Sequence, residues 1–151
     1  MSISFRRATR DDLPAIVMLL ADDVLGRSRE IGGEPLDPRY VAGFEAVDAD
    51  PRQTLVVAEL DGDIVGTMQI TILPGIGRLG AVRGQFESVH IAESLRGQGH
   101  GAAMIRWAMD HCREQGCAFV QLTSDRRRAG AHSFYEGLGF APSHVGYKKF
   151  L

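Results

Sequence analysis

The residues best suited to chemistry are the closely spaced glycines of the segment Arg96-Gly97-Gln98-Gly99-His100-Gly101-Ala102. Glycine has no Cβ, so a turn rich in glycine lets successive backbone N–H groups converge on one anion. The segment stands between a predicted strand and a predicted helix, and the start of a helix adds the positive end of its dipole. The spacing therefore predicts a cradle for a diphosphate, with Arg96 adding a positive charge at its mouth.

Two nucleotide-binding motifs and a plain turn compete with this interpretation. A P-loop needs lysine and then serine or threonine after its last glycine, whereas Ala102 and Ala103 stand there, which excludes it. The dinucleotide fingerprint fits Gly97 and Gly99 in a permissive form, with Asp125 about 20 residues on, but it should open a βαβ unit. Here the segment follows three predicted strands in succession, with no helix between them. A tight turn that binds nothing also remains open.

Alternating apolar and polar residues predict the strands that must position the turn. They are expected at Ile3–Arg7, Thr54–Leu60, Ile64–Leu73, Gln85–Ile91 and Ala118–Thr123, with a final strand or hairpin at Phe140–Phe150. The turn signal Asp61-Gly62 joins the second and third of these into a hairpin.

Apolar residues at helical spacing predict four helices. The first follows a capping box at Thr9, and its apolar face is Leu13, Ile16, Val17 and Leu20. The second helix is expected at Arg39–Val47 and the fourth at Arg127–Leu138. The third runs from the glycine turn to Gly116, and its buried stripe is expected to be Met104, Ile105, Ala108 and Cys112. The order β-α-α-β-β-β-α-β-α-β predicts a single α/β domain over residues 1–151, with a mixed, mostly antiparallel twisted sheet flanked by helices.

Composition limits the classes of partner. The 151 residues carry a formal net charge of -2, which argues against binding to nucleic acid or to an anionic membrane through a general positive field. No apolar run approaches the roughly 20 residues of a membrane helix, and a cytoplasmic location is expected. Cys112 and Cys117 lack neighbours that would complete a zinc set, so no metal site is predicted.

Two segments together resemble a known family. Arg96, Gly99 and Gly101 match the pattern Arg or Gln, two residues, Gly, one residue, Gly or Ala, and 131–140, AHSFYEGLGF, is similar to a late helix that ends in a Gly-Phe step. Both are features of the GNAT superfamily of N-acyltransferases, which use acetyl-coenzyme A. The predicted order of elements also matches that family from Ile3 to Phe150.

The resemblance implies a binding site for acetyl-coenzyme A. It implies that the strand before the turn splays from its neighbour and that the main chain of Val89 and Ile91 binds the pantetheine arm. The N–H groups from Gln98 through Ala102 would hold the diphosphate. The full implied set is Val89, Ile91, Arg96, Gly97, Gln98, Gly99, His100, Gly101 and Ala102.

One position departs from the family. Arg128 stands where many members carry asparagine, which puts that cofactor contact in doubt. Either the three arginines 126–128 approach a cofactor phosphate, or they form the solvated start of a helix.

The chemistry of acetyl transfer indicates a base. A lysine-like amine with a pKa near 10.4 is neutral in about one molecule in 2,500 at pH 7, which corresponds to about 4.6 kcal/mol. Glu87 is the candidate base, because strict alternation places its side chain on the same sheet face as that of Val89. The alternative is a structural or solvent-facing carboxylate. The same alternation predicts that His90 faces the other way.

The resemblance also implies an acid. Tyr135 is similar to the family tyrosine that protonates the departing thiolate, with packing against Phe134 as the alternative role. No base accompanies Cys112 or Cys117, so direct attack in a ternary complex is expected rather than a covalent acyl-enzyme.

The acceptor is expected to be an amine of a small molecule or peptide, shaped by the loop 27–38, the first helices and the final hairpin. Glu34, Asp37 and Glu45 either attract a cationic amine or face solvent. Dimers are common in the family that the sequence resembles, so a homodimer is one expectation. Two alternatives stay open: a coenzyme-A-binding sensor without turnover, and transfer of a longer acyl group.

Overall fold

The computed structural model describes residues 2–151 and divides them into two compact units, one up to Gln121 and one at Leu122–Leu151. The chain forms five strands, which lie in the sheet in chain order. They are β1 (Ser4–Arg7), β2 (Gln53–Leu60), β3 (Asp63–Leu73), β4 (Arg83–Ile91) and β5 (Phe119–Leu122). Strands β1 to β4 pair antiparallel, and the helical crossover from β4 to β5 makes the sheet mixed. The predicted fold class is confirmed.

The four longer helices are α1 (Leu13–Ala21), α2 (Pro38–Ala49), α3 (His100–Glu114) and α4 (Ala129–Gly137). Local signals explain where they begin. The capping box predicted at Thr9 is present, because its N–H and hydroxyl donate to Asp12 at 2.7 and 3.2 Å. Asp37 caps α2 by accepting from the N–H of Arg39 at 2.9 Å. None of the helices among residues 2–151 combines the length and apolar character that a membrane crossing needs.

The sheet buries a different layer on each face. On one face, which we call the α1 face, Val57 packs with Ile16 of α1 and with Ala8. On the opposite face, the α3 face, α3 buries the predicted stripe of Met104, Ile105, Ala108 and Cys112. Gly84 belongs to this second layer, because a Cβ there would overlap the Sγ of Cys112.

A bulge interrupts β4. Glu87 pairs with Gln69 of β3, and His90 pairs with Thr67, so three residue steps on β4 oppose two on β3. Ser88 takes up the extra residue with a φ of 53°, in the left-handed region. The bulge changes which side chains share a face in the second half of the strand.

The second unit contains α4 and an irregular end. Beyond α4, residues 140–151 form no strand, so the predicted final strand at Phe140–Phe150 is wrong. Pro142 has no N–H to donate to a neighbouring strand, and Gly146 lowers the strand propensity. The alternating pattern of this segment therefore does not produce a strand. Tyr147 and Phe150 are 91% and 95% exposed.

Candidate active site

The glycine-rich turn adopts a backbone conformation that favours glycine. Gly97 and Gly99 have φ values of 76° and 84°, which side chains other than glycine rarely adopt. A Cβ built at either position meets no atom within 4 Å, so the surface beside the turn is open. Ala103 donates to the carbonyl of Gly99 at 3.0 Å and starts the helical ladder. The N–H groups of 100–102 precede that ladder and therefore have no partner within the helix.

Arg96 connects the cradle to β4. Its Nε donates to the carbonyl oxygen of Ile91 at 3.1 Å, while the side chain stays exposed. This bond fixes the loop between strand and cradle. Because a guanidinium has five N–H donors, the group retains donors for an anion at the mouth of the turn.

The outer edge of β4 is only half covered by β5. The N–H of Ala118 donates to the carbonyl of Val82 at 2.8 Å, and the Nε2 of Gln121 donates to the Oε1 of Gln85 at 3.0 Å. These two contacts place Ala118 beside Val82 and Gln121 beside Gln85, as in a pair of parallel strands. The end of β5 at Leu122 therefore lies about level with Glu87. The part of β4 that contains Val89 and Ile91 therefore extends beyond the end of β5.

The bulge places His90 on the same sheet face as Glu87. Side chains of directly paired residues lie on one face, and the partners of the two residues, Thr67 and Gln69, are two positions apart on β3. The prediction that His90 points away from Glu87 is therefore wrong, and so is the use of strict alternation to relate Glu87 to Val89. Only the left-handed φ of Ser88 reveals the reversal, and no residue type in the sequence signals it.

Glu87 stands at the end of a row of hydrogen-bonded side chains. Its exposed carboxylate accepts from the Nε2 of Gln85, whose Oε1 accepts from Gln121. On β2 and β3, the Oε1 of Gln53 accepts from Gln69 at 2.9 Å and from Thr71 at 2.8 Å. The row is polar and open to solvent, so a charged amine can approach the carboxylate without crossing an apolar surface.

A cavity of about 270 Å³ adjoins the loop 27–38. The hydroxyl of Tyr40 donates to Glu30 and accepts from the N–H of Ile31, both at 2.9 Å. Charges of both signs line the cavity, since Arg29, Glu30, Ile31, Asp37, Arg39 and Tyr40 form its wall. Sequence reasoning assigned this loop to the acceptor but identified only Asp37 among these residues.

In the second unit, Tyr135 belongs to an aromatic cluster. Its ring centroid lies 5.1 Å from that of Phe134 and 5.7 Å from that of Phe140, in edge-to-face contacts. Burial raises the pKa of Tyr135, against an opposing effect of the Arg128 charge, so the phenol keeps its proton at neutral pH. A protonated phenol is the form that a general acid requires.

Asp125 does not serve as the acidic residue that the dinucleotide-binding motif requires. Its carboxylate accepts from the Nε and Nη2 of Arg127 at 2.9 and 2.8 Å and from the N–H of Arg127. These bonds lower the pKa of Asp125 and occupy one of the three arginines considered for a cofactor phosphate. The antiparallel strands before the cradle also exclude the βαβ half that such a site requires.

The two cysteines are unsuited to nucleophilic catalysis. Burial raises the pKa of the Cys112 thiol to about 12 and also raises that of Cys117. Across residues 2–151, no group of three or more His, Cys, Asp or Glu side chains could hold a metal ion.

The mixed sheet with its helices, the glycine-rich turn at the start of α3 and the end of β4 beyond β5 form the arrangement expected of an acyl-group transferase. The sequence profile of the acetyltransferase (GNAT) family matches residues 20–140. The chain therefore belongs to the GNAT acetyltransferase family, whose members use acetyl-coenzyme A as cosubstrate.

Two curated relatives are named acetyltransferases. An aminoalkylphosphonate N-acetyltransferase of Salmonella typhimurium is 25% identical over 147 residues, which cover 97% of this chain and 90% of the relative. A streptothricin acetyltransferase of Streptomyces lavendulae is 30% identical over 131 residues, which cover 79% of this chain and 66% of the relative. The assignment of an acyltransferase is confirmed.

A solved structure from Bacillus halodurans C-125, described as a transcriptional regulator, superimposes with a TM-score of 0.97. It is 41% identical, and the match covers 99% of this chain and 100% of that chain.

Proposed function

We propose that this protein transfers an acetyl group from acetyl-coenzyme A to the primary amine of a small molecule by direct attack. The observation that carries the proposal is the open glycine cradle at the start of α3, beside the part of β4 that β5 leaves unpaired. The N–H groups from Gln98 through Ala102 hold the diphosphate, and Arg96 adds its charge. The main chain of Val89 and Ile91 binds the pantetheine arm.

In this proposal, Glu87 is the general base and Tyr135 is the general acid. The carboxylate of Glu87 accepts a proton from the attacking nitrogen, either directly or through water. The nitrogen lone pair attacks the thioester carbonyl, the C–S bond breaks, and the phenol of Tyr135 gives its proton to the thiolate. Of the two protons that an ammonium nitrogen loses, one restores the Tyr135 phenol through water and the other is released to solvent. The raised pKa values of Cys112 and Cys117 support direct attack over a covalent acyl-enzyme.

We further propose that the acceptor carries an anionic group as well as the amine. The cavity beside the loop 27–38 is lined by two arginine–carboxylate pairs, Arg39–Asp37 at 2.8 Å and Arg29–Glu30 at 3.9 Å, which a molecule with both charges could match by exchanging partners. The curated relative named for aminoalkylphosphonates, matched over nearly all of this chain, supports the same class.

The experiment is an acceptor screen that measures coenzyme A release and confirms the acetylated product by mass spectrometry. The panel pairs 2-aminoethylphosphonate with ethylamine, which lacks the anion, and adds streptothricin, glucosamine, spermidine and a short peptide. We expect 2-aminoethylphosphonate to be acetylated at least about 10-fold more efficiently than ethylamine, about 1.4 kcal/mol of discrimination. If no amine in the panel is acetylated, the proposed function is wrong. Preference for ethylamine, which lacks the anion, would overturn the acceptor class alone.

A regulatory module that binds coenzyme A without turnover is the second candidate, and the description of the Bacillus halodurans structure favours it. It predicts that the chain binds coenzyme A tightly yet acetylates none of these amines. Transfer of a longer acyl group is tested by replacing acetyl-coenzyme A with propionyl- and butyryl-coenzyme A in the same assay.

A further inference from the structure

We propose that His90 is a second proton-accepting catalytic residue, which takes the first proton from the acceptor's ammonium group before Glu87 takes the second. This inference rests on the proposed function and adds a residue that sequence reasoning had placed on the wrong face.

Acetylation of an ammonium ion removes two protons from nitrogen. The first must leave before attack, because an ammonium nitrogen has no lone pair. The second leaves after the C–N bond has formed, when nitrogen again carries a positive charge. The thiolate takes up one proton through Tyr135, and the other is released to solvent. A single carboxylate would have to discharge its first proton before accepting the next, whereas two adjacent bases can act in turn.

The bulge supplies two such groups on one face. Because Thr67 and Gln69 are separated by two residues of β3, their partners His90 and Glu87 lie about 7 Å apart along the α1 face. Glu87 accepts from Gln85 through one oxygen, on the side away from His90, so its other oxygen is the one that a nitrogen atom or a water molecule between the two residues would contact. Without the left-handed Ser88, His90 would project toward the α3 face instead.

Packing at Gly66 fixes this arrangement. A Cβ at Gly66 would lie 2.7 Å from Cδ1 of Ile91, 3.1 Å from the carbonyl oxygen of His90 and 3.1 Å from the Cβ of Ala58. Glycine therefore lets β3 approach β4 closely at the bulge. The side chain of Ile91 occupies the α3 face, so the neighbouring side chain of His90 belongs to the α1 face.

The chemistry of the side chain suits the first proton transfer. A neutral imidazole accepts a proton near neutral pH more readily than any other ordinary side chain. After attack, the acylated nitrogen is far more acidic, and a carboxylate suffices. The titratable and charged groups on the elements around His90 are Arg83 and Glu87 on β4, Asp63 on β3, and Asp22 and Asp23 directly after α1.

The test compares His90→Gln with His111→Gln, which makes the same change on α3, on the other face of the sheet. With the fastest acceptor from the screen, His90→Gln should lower kcat/KM about 100-fold and remove the acidic inflexion of its pH profile. Coenzyme A affinity and Tm should stay within the range of His111→Gln, which should keep wild-type activity. Added imidazole should restore part of the lost rate.

Hydroxylamine separates a base from a structural residue, because it is largely uncharged at neutral pH and has no first proton to lose. The defect of His90→Gln should shrink to within about 3-fold with this acceptor. An equal loss with both acceptors, or an unchanged pH profile, would overturn the role of His90. His90→Asn provides the same comparison if the glutamine variant folds poorly. Failure of the wild type with every amine would instead remove the proposed function, and this inference with it.

Discussion

In the proposed mechanism, Tyr135 is the residue that protonates the departing thiolate. Its raised pKa keeps the phenol protonated, and its aromatic neighbours fix the ring. We expect Tyr135→Phe to lower kcat by about 100-fold, because the ring keeps its packing and loses only the proton donor. Steady-state kinetics and a coenzyme A titration test this expectation, with Tyr147→Phe, an exposed tyrosine, as the control. Unchanged turnover would exclude Tyr135 as the acid.

Asp12 makes stability depend on pH. Its carboxylate accepts from the Nη1 and Nη2 of Arg6 at 2.8 and 3.0 Å and from Thr9, and these bonds lower its pKa from 3.8. A lowered pKa stabilises the folded state above the unfolded value, and the stabilisation is lost as pH falls through the folded value.

We therefore expect Asp12→Asn to lower the free energy of unfolding by about 1–2 kcal/mol at neutral pH and to flatten its decline between roughly pH 5 and pH 2. Urea unfolding across this range measures both effects. Asp11→Asn, an exposed neighbour, should change neither. A decline in Asp12→Asn as steep as that of the wild type would contradict this account.

At the scale of single residues, motifs identified candidate residues better than alternation predicted the sheet face on which a side chain lies. The cradle glycines and Tyr135 followed from motifs, and the burial of Cys112 followed from helical spacing. The direction of His90 did not, because one left-handed residue reverses the alternation without changing any residue type. The pairing of Glu30 with Tyr40 in the cavity wall also required the folded loop.

At the scale of elements, local signals predicted all four helices and five strands to within a few residues. Caps and apolar periodicity are properties of the segment itself. The failure at Phe140–Phe150 has the opposite cause, since a strand needs a partner edge elsewhere in the chain, and alternation cannot supply one.

The approach of β3 to β4 also belongs to this scale. We expect Gly66→Ala to lower the free energy of unfolding by about 1–3 kcal/mol, since the new Cβ would press on Ala58 and on the carbonyl of His90. Gly43→Ala is the matched control, because no atom lies within 4 Å of its Cβ and alanine favours helix α2. Chemical denaturation should show opposite signs for the two variants. Equal effects would mean that the strands are not in close contact.

At the scale of the whole molecule, a net charge of -2 is compatible with a polyphosphate ligand. The proposed cradle relies on neutral N–H donors and a helix dipole, so it needs no basic surface. The overall charge argues against binding to nucleic acid through a general positive field, and it says nothing about a local anion site. This distinction follows from the position of the glycines and not from composition.

The most direct test of the account is a calorimetric titration of coenzyme A into three proteins. They are the wild type, Gly99→Glu and Gly116→Glu. Gly99 and Gly116 both have positive φ, 84° and 81°, and open space at the Cβ, but Gly116 lies at the far end of α3. The account predicts that Gly99→Glu weakens binding at least about 100-fold, about 2.7 kcal/mol, while Gly116→Glu binds like the wild type. Equal affinity in all three would contradict it.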